Sequence, residues 1–174
     1  RAVLVALFVC GVAGATCYTG GPALKYHALG DLCIVVTFGP VLVLFAYALQ
    51  AGSLGLSPLL AAGVPTLHIE AILHGNNVRD YEEDRRTGVR TLAGMLGPRR
   101  ARELYAVLLA LPFLASLGLG VFRSPLWLLP CATTPMALKL ARDGLEGKHE
   151  NLPARTAKFQ FLFSVLYTIS VYVA

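Results

Sequence analysis

The chain has 174 residues, of which 56% are hydrophobic and only 14% charged, with a formal net charge of +5. Soluble domains carry about 25% charged residues, so a water-soluble globular domain is excluded and lipid is the expected solvent. The four cysteines (Cys10, Cys17, Cys33, Cys131) form no Cys-x-x-Cys pair and sit in or beside apolar runs, as small packing residues do.

In chain order, apolar runs cover about residues 2–17, 32–50, 58–76, 103–121, 125–141 and 156–173. A hydrocarbon core of about 30 Å takes roughly 20 helical residues, so each run predicts one crossing. The first starts directly after Arg1, with neither an initiator Met nor a small-residue cleavage site, so the sequence is expected to be cut from a longer protein. The fifth is short and contains Pro130 and Pro135, which predicts a kink. Small residues such as Gly11, Gly14, Gly118 and Gly120 suit close helix packing in lipid.

The loops sort by charge. Loops at 18–31, 77–102 and 139–158 hold 13 of the 15 basic residues, and those at 51–57 and 122–124 hold only Arg123. Six crossings place the three basic loops on one, cytosol-like face, as the positive-inside rule requires. Topology and an anionic ligand account for the net charge, and no nucleic acid is needed.

The third run ends in Asn76-Asn77-Val78-Arg79-Asp80-Tyr81-Glu82-Glu83-Asp84. If helix continues to Asp84, then Asn76, Asp80 and Asp84 recur at i, i+4 and i+8 and form one polar stripe at the membrane surface. These are hard oxygen ligands of the kind Mg²⁺ takes together with water and substrate phosphate. Arg79, Arg85 and Arg86 flank the stripe and can balance phosphate charge. The alternative is an ordinary solvated loop of mixed charge. Earlier on the same helix, Glu70 and His74 stand at i and i+4 inside the apolar run. An intramembrane carboxylate faces a bundle interior or a wet cavity, so the pair is either a polar wall of a substrate chamber or a mutual hydrogen bond joining helices. His27, His68 and His149 have no metal-ligand spacing.

The first loop, Tyr18-Thr19-Gly20-Gly21-Pro22 through Lys25 to Asp31, lies on the face of Asp80 and Asp84 by loop parity. Its glycines allow backbone to approach a ligand, Lys25 supplies a point charge and Tyr18 a phenol donor. A plain turn, with Lys25 as a topology charge and Asp31 capping the next helix, fits the same residues.

The run Asn76-Asn77-x-Arg79-Asp80-x-x-x-Asp84, followed by Gly88-x-x-Thr91-Leu92-Ala93, resembles the second aspartate-rich motif of the UbiA superfamily of intramembrane prenyltransferases. Tyr18-Thr-Gly-Gly-Pro, Leu29-Gly30-Asp31 and Phe38-Gly39-Pro40 resemble its menaquinone-forming branch. Segments such as Leu24–Asp31, Phe45–Gln50, Glu70–His74 with Asn76-Asn77, and Leu152-Pro153-x-Arg155-Thr156-Ala157-Lys158 resemble the animal members. The resemblance runs through essentially the whole chain.

It implies an all-α polytopic membrane helical bundle, with six transmembrane helices that are the last six of a nine-helix fold. Residues 1–174 would then be a partial domain lacking the N-terminal helices and the first aspartate-rich motif. It implies Mg²⁺ held by Asp80 and Asp84, with Asn76 as partner, on the diphosphate of a polyprenyl donor. Lys25, Tyr18 and Arg79 would bind that diphosphate, although the spacing of Tyr18 and Lys25 departs from the Tyr-x-x-x-Lys of much of the superfamily. Glu70, His74 and Asn77 would wall the chamber. The implied activity is transfer of a polyprenyl group, geranylgeranyl in the animal branch, to a naphthoquinol-type acceptor in menaquinone (vitamin K2) synthesis. The isolated piece is expected to be inactive. An endoplasmic reticulum or Golgi membrane and a membrane-protein partner in sterol synthesis are implied in the same way, with mitochondrial and bacterial membranes left open. Two alternatives stand beside this: another acceptor such as dihydroxynaphthoate or hydroxybenzoate, and a truncated, noncatalytic isoprenoid-binding protein.

Overall fold

Backbone in lipid has to satisfy its own N–H and C=O groups, and this chain does so with helices from end to end. The computed structural model describes residues 1–174. Five helical stretches are long and apolar enough to cross a bilayer. They are α1 (Ala2–Thr19), a composite over Gly30–Ala51, α4 (Leu56–Arg79), α7 (Pro98–Phe122) and α9 (Leu152–Val173). The composite joins α2 (Gly30–Val36) to α3 (Leu42–Ala51) through a π-helical turn at Thr37–Val41. On the basic face, α5 (Tyr81–Thr87) and α6 (Leu92–Leu96) are short.

The fifth predicted crossing is not one α-helix. Pro125–Thr133 winds as a 3₁₀ helix, and α8 (Thr134–Leu145) continues it. A 3₁₀ helix rises about 2.0 Å per residue against 1.5 Å for α, so the two pieces together reach roughly 36 Å, enough to cross. The return to the basic face is visible directly, because the guanidinium of Arg102, at the start of α7, lies over Gly147, just beyond α8. The first basic loop also meets the second. His27 and Arg90 form an isolated parallel bridge, and the Ala28 amide donates to the Arg90 carbonyl at 2.7 Å. The three basic loops thus gather at one end of the bundle.

One proline inside a span is compensated by a side chain from another helix. Pro65 cannot donate to the Ala61 carbonyl, and Tyr167 Oη donates to it instead at 2.9 Å. Farther along the same helix, Ser170 Oγ donates to the Leu126 carbonyl of the 3₁₀ segment at 2.9 Å. Both donors lie on α9, which packs against α4 and the 3₁₀ segment.

The core sits among α4, α7 and α9. Phe113, Phe159 and Phe163 surround the fully buried His68, whose ring centroid lies 4.7 Å from Phe159 and 4.5 Å from Phe163. His68 Nε2 donates to the Leu109 carbonyl at 3.2 Å, which ties α4 to α7. Tyr105 is held between two glycines: a Cβ on Gly75 would lie 3.2 Å from its ring, and one on Gly144 only 2.8 Å away. Its hydroxyl donates to Thr156 Oγ1 at 2.6 Å, because that oxygen spends its own hydrogen on the Leu152 carbonyl. This is lipid-phase packing by small residues, at Gly75 and Gly144 and also at the expected Gly14 and Gly120, where a Cβ would run into Thr37 and Leu128, but not at Gly118, beside which a Cβ would meet open space.

The N-terminal layer is looser. No residue of α1 is buried. Between α1 and the α2–α3 composite runs an apolar groove of about 640 Å³, floored by Gly11 and Gly14 and walled by Phe8, Phe38 and Phe45, with Tyr18 at its polar end. The π turn sets one wall. Gly39 leaves helical geometry (φ −89°, ψ −105°) ahead of Pro40, and a Cβ there would stand 3.1 Å from Thr66 on α4. Glycine therefore allows the close approach of the two helices.

Candidate metal and diphosphate site

The aspartate stripe forms with a bend. Helix α4 stops at Arg79, and Asp80 takes φ −90° and ψ 6° before α5 begins. The straight continuation expected to Asp84 is thus broken at Asp80, yet the i+4 bonds run through the break. The Asp80 amide donates to the Asn76 carbonyl at 2.9 Å, and the Asp84 amide to the Asp80 carbonyl at 2.9 Å. Asn76, Asp80 and Asp84 therefore follow one another turn by turn at the basic end of the bundle. In α5 the acids Glu82, Glu83 and Asp84 fill the first turn and Arg85 and Arg86 the last, both matching the helix dipole.

Two observations bear on whether this stripe suits a cation. Burial and the neighbouring Asp80 carboxylate push the Asp84 carboxyl above its usual pKa, while Lys25 pulls it back down. Negative charge is thus in local excess, and a hard divalent ion would offset it. Lys25 is thus near enough for its charge to act on Asp84, and the loop that carries it is docked on loop three. Asp80 meanwhile accepts a bidentate pair of hydrogen bonds from Arg79, Nε at 2.6 Å and Nη2 at 2.8 Å. Both groups are about 40% exposed, so the pair is held loosely. Arg79 is a donor that can turn to phosphate when a cation takes its place on Asp80.

The buried polar residues lie deeper. His74 does not bond Glu70, as one reading of their spacing expects. Its Nδ1 meets Asp31 Oδ1 at 3.2 Å and its Nε2 donates to the Ala101 carbonyl at 2.9 Å. Asn77 Nδ2 donates to Asp31 Oδ2 at 3.3 Å. Asp31 makes no cap bond to its own helix; it is the hub that joins α2 to α4. Sequence reasoning assigned it at most a capping role, and the only signal was an acid immediately before an apolar run. The ring of Tyr18 packs at Gly30, beside Asp31, where a Cβ would lie 3.5 Å from it. Asn76 and Asp84 are half-buried, and Lys25 reaches over the Tyr26 ring at 5.6 Å.

The structure thus defines a class: a polytopic helical membrane protein with a carboxylate stripe, a lysine loop and an arginine donor gathered at one membrane face. The UbiA prenyltransferase family model matches residues 1–165. The chain belongs to that family. It is 44% identical over 171 residues to UbiA prenyltransferase domain-containing protein 1 of Rattus norvegicus and to that of Homo sapiens, covering 98% of this chain and 51% of each relative. The Drosophila melanogaster homolog is 39% identical over 168 residues, 96% of this chain and 47% of that protein. The chain spans about half the length of the curated relatives it matches.

Proposed function

We propose that this chain is the C-terminal portion of an intramembrane aromatic prenyltransferase, and that it carries one half of the donor site. The observation that supports this most is the turn-by-turn run of Asn76, Asp80 and Asp84 beside Lys25, in a chain of the UbiA prenyltransferase family. Asp80 and Asp84 would hold Mg²⁺ with Asn76 as partner. That ion, when bound, neutralises diphosphate and makes it a leaving group. Lys25, Tyr18 and Arg79 would bind the remaining phosphate oxygens. The apolar walls would exclude water from the allylic carbon as its C–O bond ionises, and Glu70, His74 and Asn77 would border the acceptor. The donor is read as a polyprenyl diphosphate, geranylgeranyl in kind. The acceptor is a naphthoquinol-type ring of menaquinone (vitamin K2) synthesis, and the setting an endoplasmic reticulum or Golgi membrane. The opposing aspartate motif would lie outside residues 1–174, so the piece alone is inactive.

In the full-length protein, Asp80→Ala and Asp84→Ala should each abolish Mg²⁺-dependent prenyl transfer while expression stays normal. Near-normal turnover in either variant would defeat the ligand assignment. An acceptor exchange among menadiol, dihydroxynaphthoate and hydroxybenzoate tests the acceptor class.

A further inference from the structure

The basic end of the bundle holds a small cavity of about 100 Å³, between the junction of α4 and α5, the start of α7 and the loop after α8. Arg79, Tyr81 and Glu82 line one side, Pro98 and Arg102 another, and His149 a third. Val78, also in the lining, stands two residues from Asn76 on α4, and Glu82 stands two from Asp84 on α5. At about 100° per residue, each lies about 200° around its helix from the stripe. The cavity and the aspartate stripe therefore occupy opposite faces of the same pair of helices.

Positive charge is in excess there. Arg102 is half-buried and has no carboxylate within ion-pair reach, whereas Arg79 pairs with Asp80, Arg99 with Glu103 and Arg155 with Asp143. The Arg102 guanidinium packs over Gly147, where a Cβ would lie 3.4 Å from both Nη1 and Nη2. Burial first, and the Arg102 charge as well, hold His149 below its usual pKa, against the pull of its bond to the Gly144 carbonyl. Glu82 is the only acid in the lining, and it is exposed and pairs with neither arginine. The positive end of α7 adds to the same sign. Arg79, Glu82 and Pro98 are exposed, so the cavity opens to the aqueous side. It is smaller than the roughly 150 Å³ that takes a benzene ring, which suits one tetrahedral anion and excludes an aromatic or isoprenoid ligand. Guanidinium forks match the oxygens of a phosphate group.

We propose that this cavity binds a single phosphate group through Arg102 and Arg79, on the face of α4 and α5 opposite the stripe. A lipid headgroup at the basic membrane face and soluble phosphate offer the same chemistry. Arg79 also donates both of its hydrogen bonds to Asp80, so the anion competes with Asp80 for one guanidinium. The two faces are joined through that side chain. The site stands independently of the prenyl-transfer reading above.

The test is equilibrium dialysis of the full-length protein, in mixed micelles of detergent and phosphatidylcholine, against radiolabelled inorganic phosphate. EDTA is present, so no divalent ion can draw the anion to the stripe. One phosphate should bind per chain. Arg102→Gln should weaken binding at least about tenfold, the size of one lost charge-assisted hydrogen bond. Its unfolding midpoint should hold, because Arg102 has no ion pair to lose. Arg102→Lys should lose less, since it keeps the charge without the fork, and it carries the test if Arg102→Gln does not fold. Asp80→Asn frees Arg79 and should tighten binding severalfold, while Lys25→Met should leave it unchanged. Displacement by phosphatidic acid in the micelle supports the site with a lipid headgroup as its ligand, and phosphate retained against it supports the site with a soluble one. No binding to the wild type overturns the proposal, and so does binding that Lys25→Met removes and Arg102→Gln leaves intact. An unchanged affinity in Asp80→Asn overturns the sharing of Arg79. Absence of prenyl transfer by the full-length protein would defeat the earlier reading and leave these results as they are, so the two failures are distinguishable.

Discussion

Helix α4 carries two acidic sites a few turns apart, and they solve the problem of charge in opposite ways. At its end, Asp80 and Asp84 sit at the membrane face, where water and the Arg79 guanidinium keep them soluble and exchangeable. In its middle, Glu70 and the Asp31–His74 pair are sealed, and every hydrogen bond is internal or missing. The first arrangement leaves carboxylates open to an incoming cation. The second leaves a buried carboxyl next to two groups already bonded to each other. Depth in the bilayer, more than residue type, sets what each acid can do.

That contrast can be broken by substitution. The largest effect expected is at the stripe: Asp84→Ala should cost at least about a hundredfold in transfer rate, as loss of a preorganised electrostatic contact does. Its thermal unfolding midpoint should not move, because the side chain is half-exposed and makes no side-chain hydrogen bond. Lys25→Met should raise KM for the prenyl diphosphate about tenfold and leave kcat nearly intact, since it removes a point charge that acts on binding. Packing changes should show the reverse pattern. Gly144→Ala drives a methyl into the Tyr105 ring and should cost about 1–3 kcal/mol, read as a lower unfolding midpoint in detergent. Tyr105→Phe removes the bond to Thr156 and should cost about 1 kcal/mol by the same measurement. The smallest effect is with pH. The Asp84 carboxyl is raised above its usual pKa, so its protonated form persists to higher pH and Mg²⁺ must displace that proton. The Mg²⁺ requirement should therefore rise on acidification, starting at a higher pH than for an ordinary carboxylate. A Mg²⁺ titration across pH checks this, and a flat profile would place Asp84 away from the metal.

The membrane end of this picture was legible in the residues. Charge sorting between loops predicted which ends meet, and the Ala28–Arg90 bond and the Arg102–Gly147 contact bear it out. Residues 76, 80 and 84 were readable because helix periodicity is local. Their bend at Asp80 was not, because no proline or glycine marks it. The 3₁₀ winding over Pro125–Thr133 was anticipated only as a kink, since proline reports a lost hydrogen bond but not the helix that replaces it. The Asp31 hub was illegible for another reason. Its partners His74 and Asn77 lie more than 40 residues away, and no local pattern pairs an acid with a histidine across a loop. Of the two readings of the Glu70–His74 spacing, the one that bonded them to each other gave His74 the wrong partner.

The backbone bond from the Ala28 amide to the Arg90 carbonyl has a use beyond holding two loops together. Ala28 is half-buried and sits in a turn with φ 59°, a place where amide hydrogens ordinarily exchange with solvent quickly. While the lysine loop is docked on the aspartate loop, this hydrogen is retained. When the loops part, it is lost. One slow amide in a fast-exchanging loop thus acts as a clock for how often the two basic loops part.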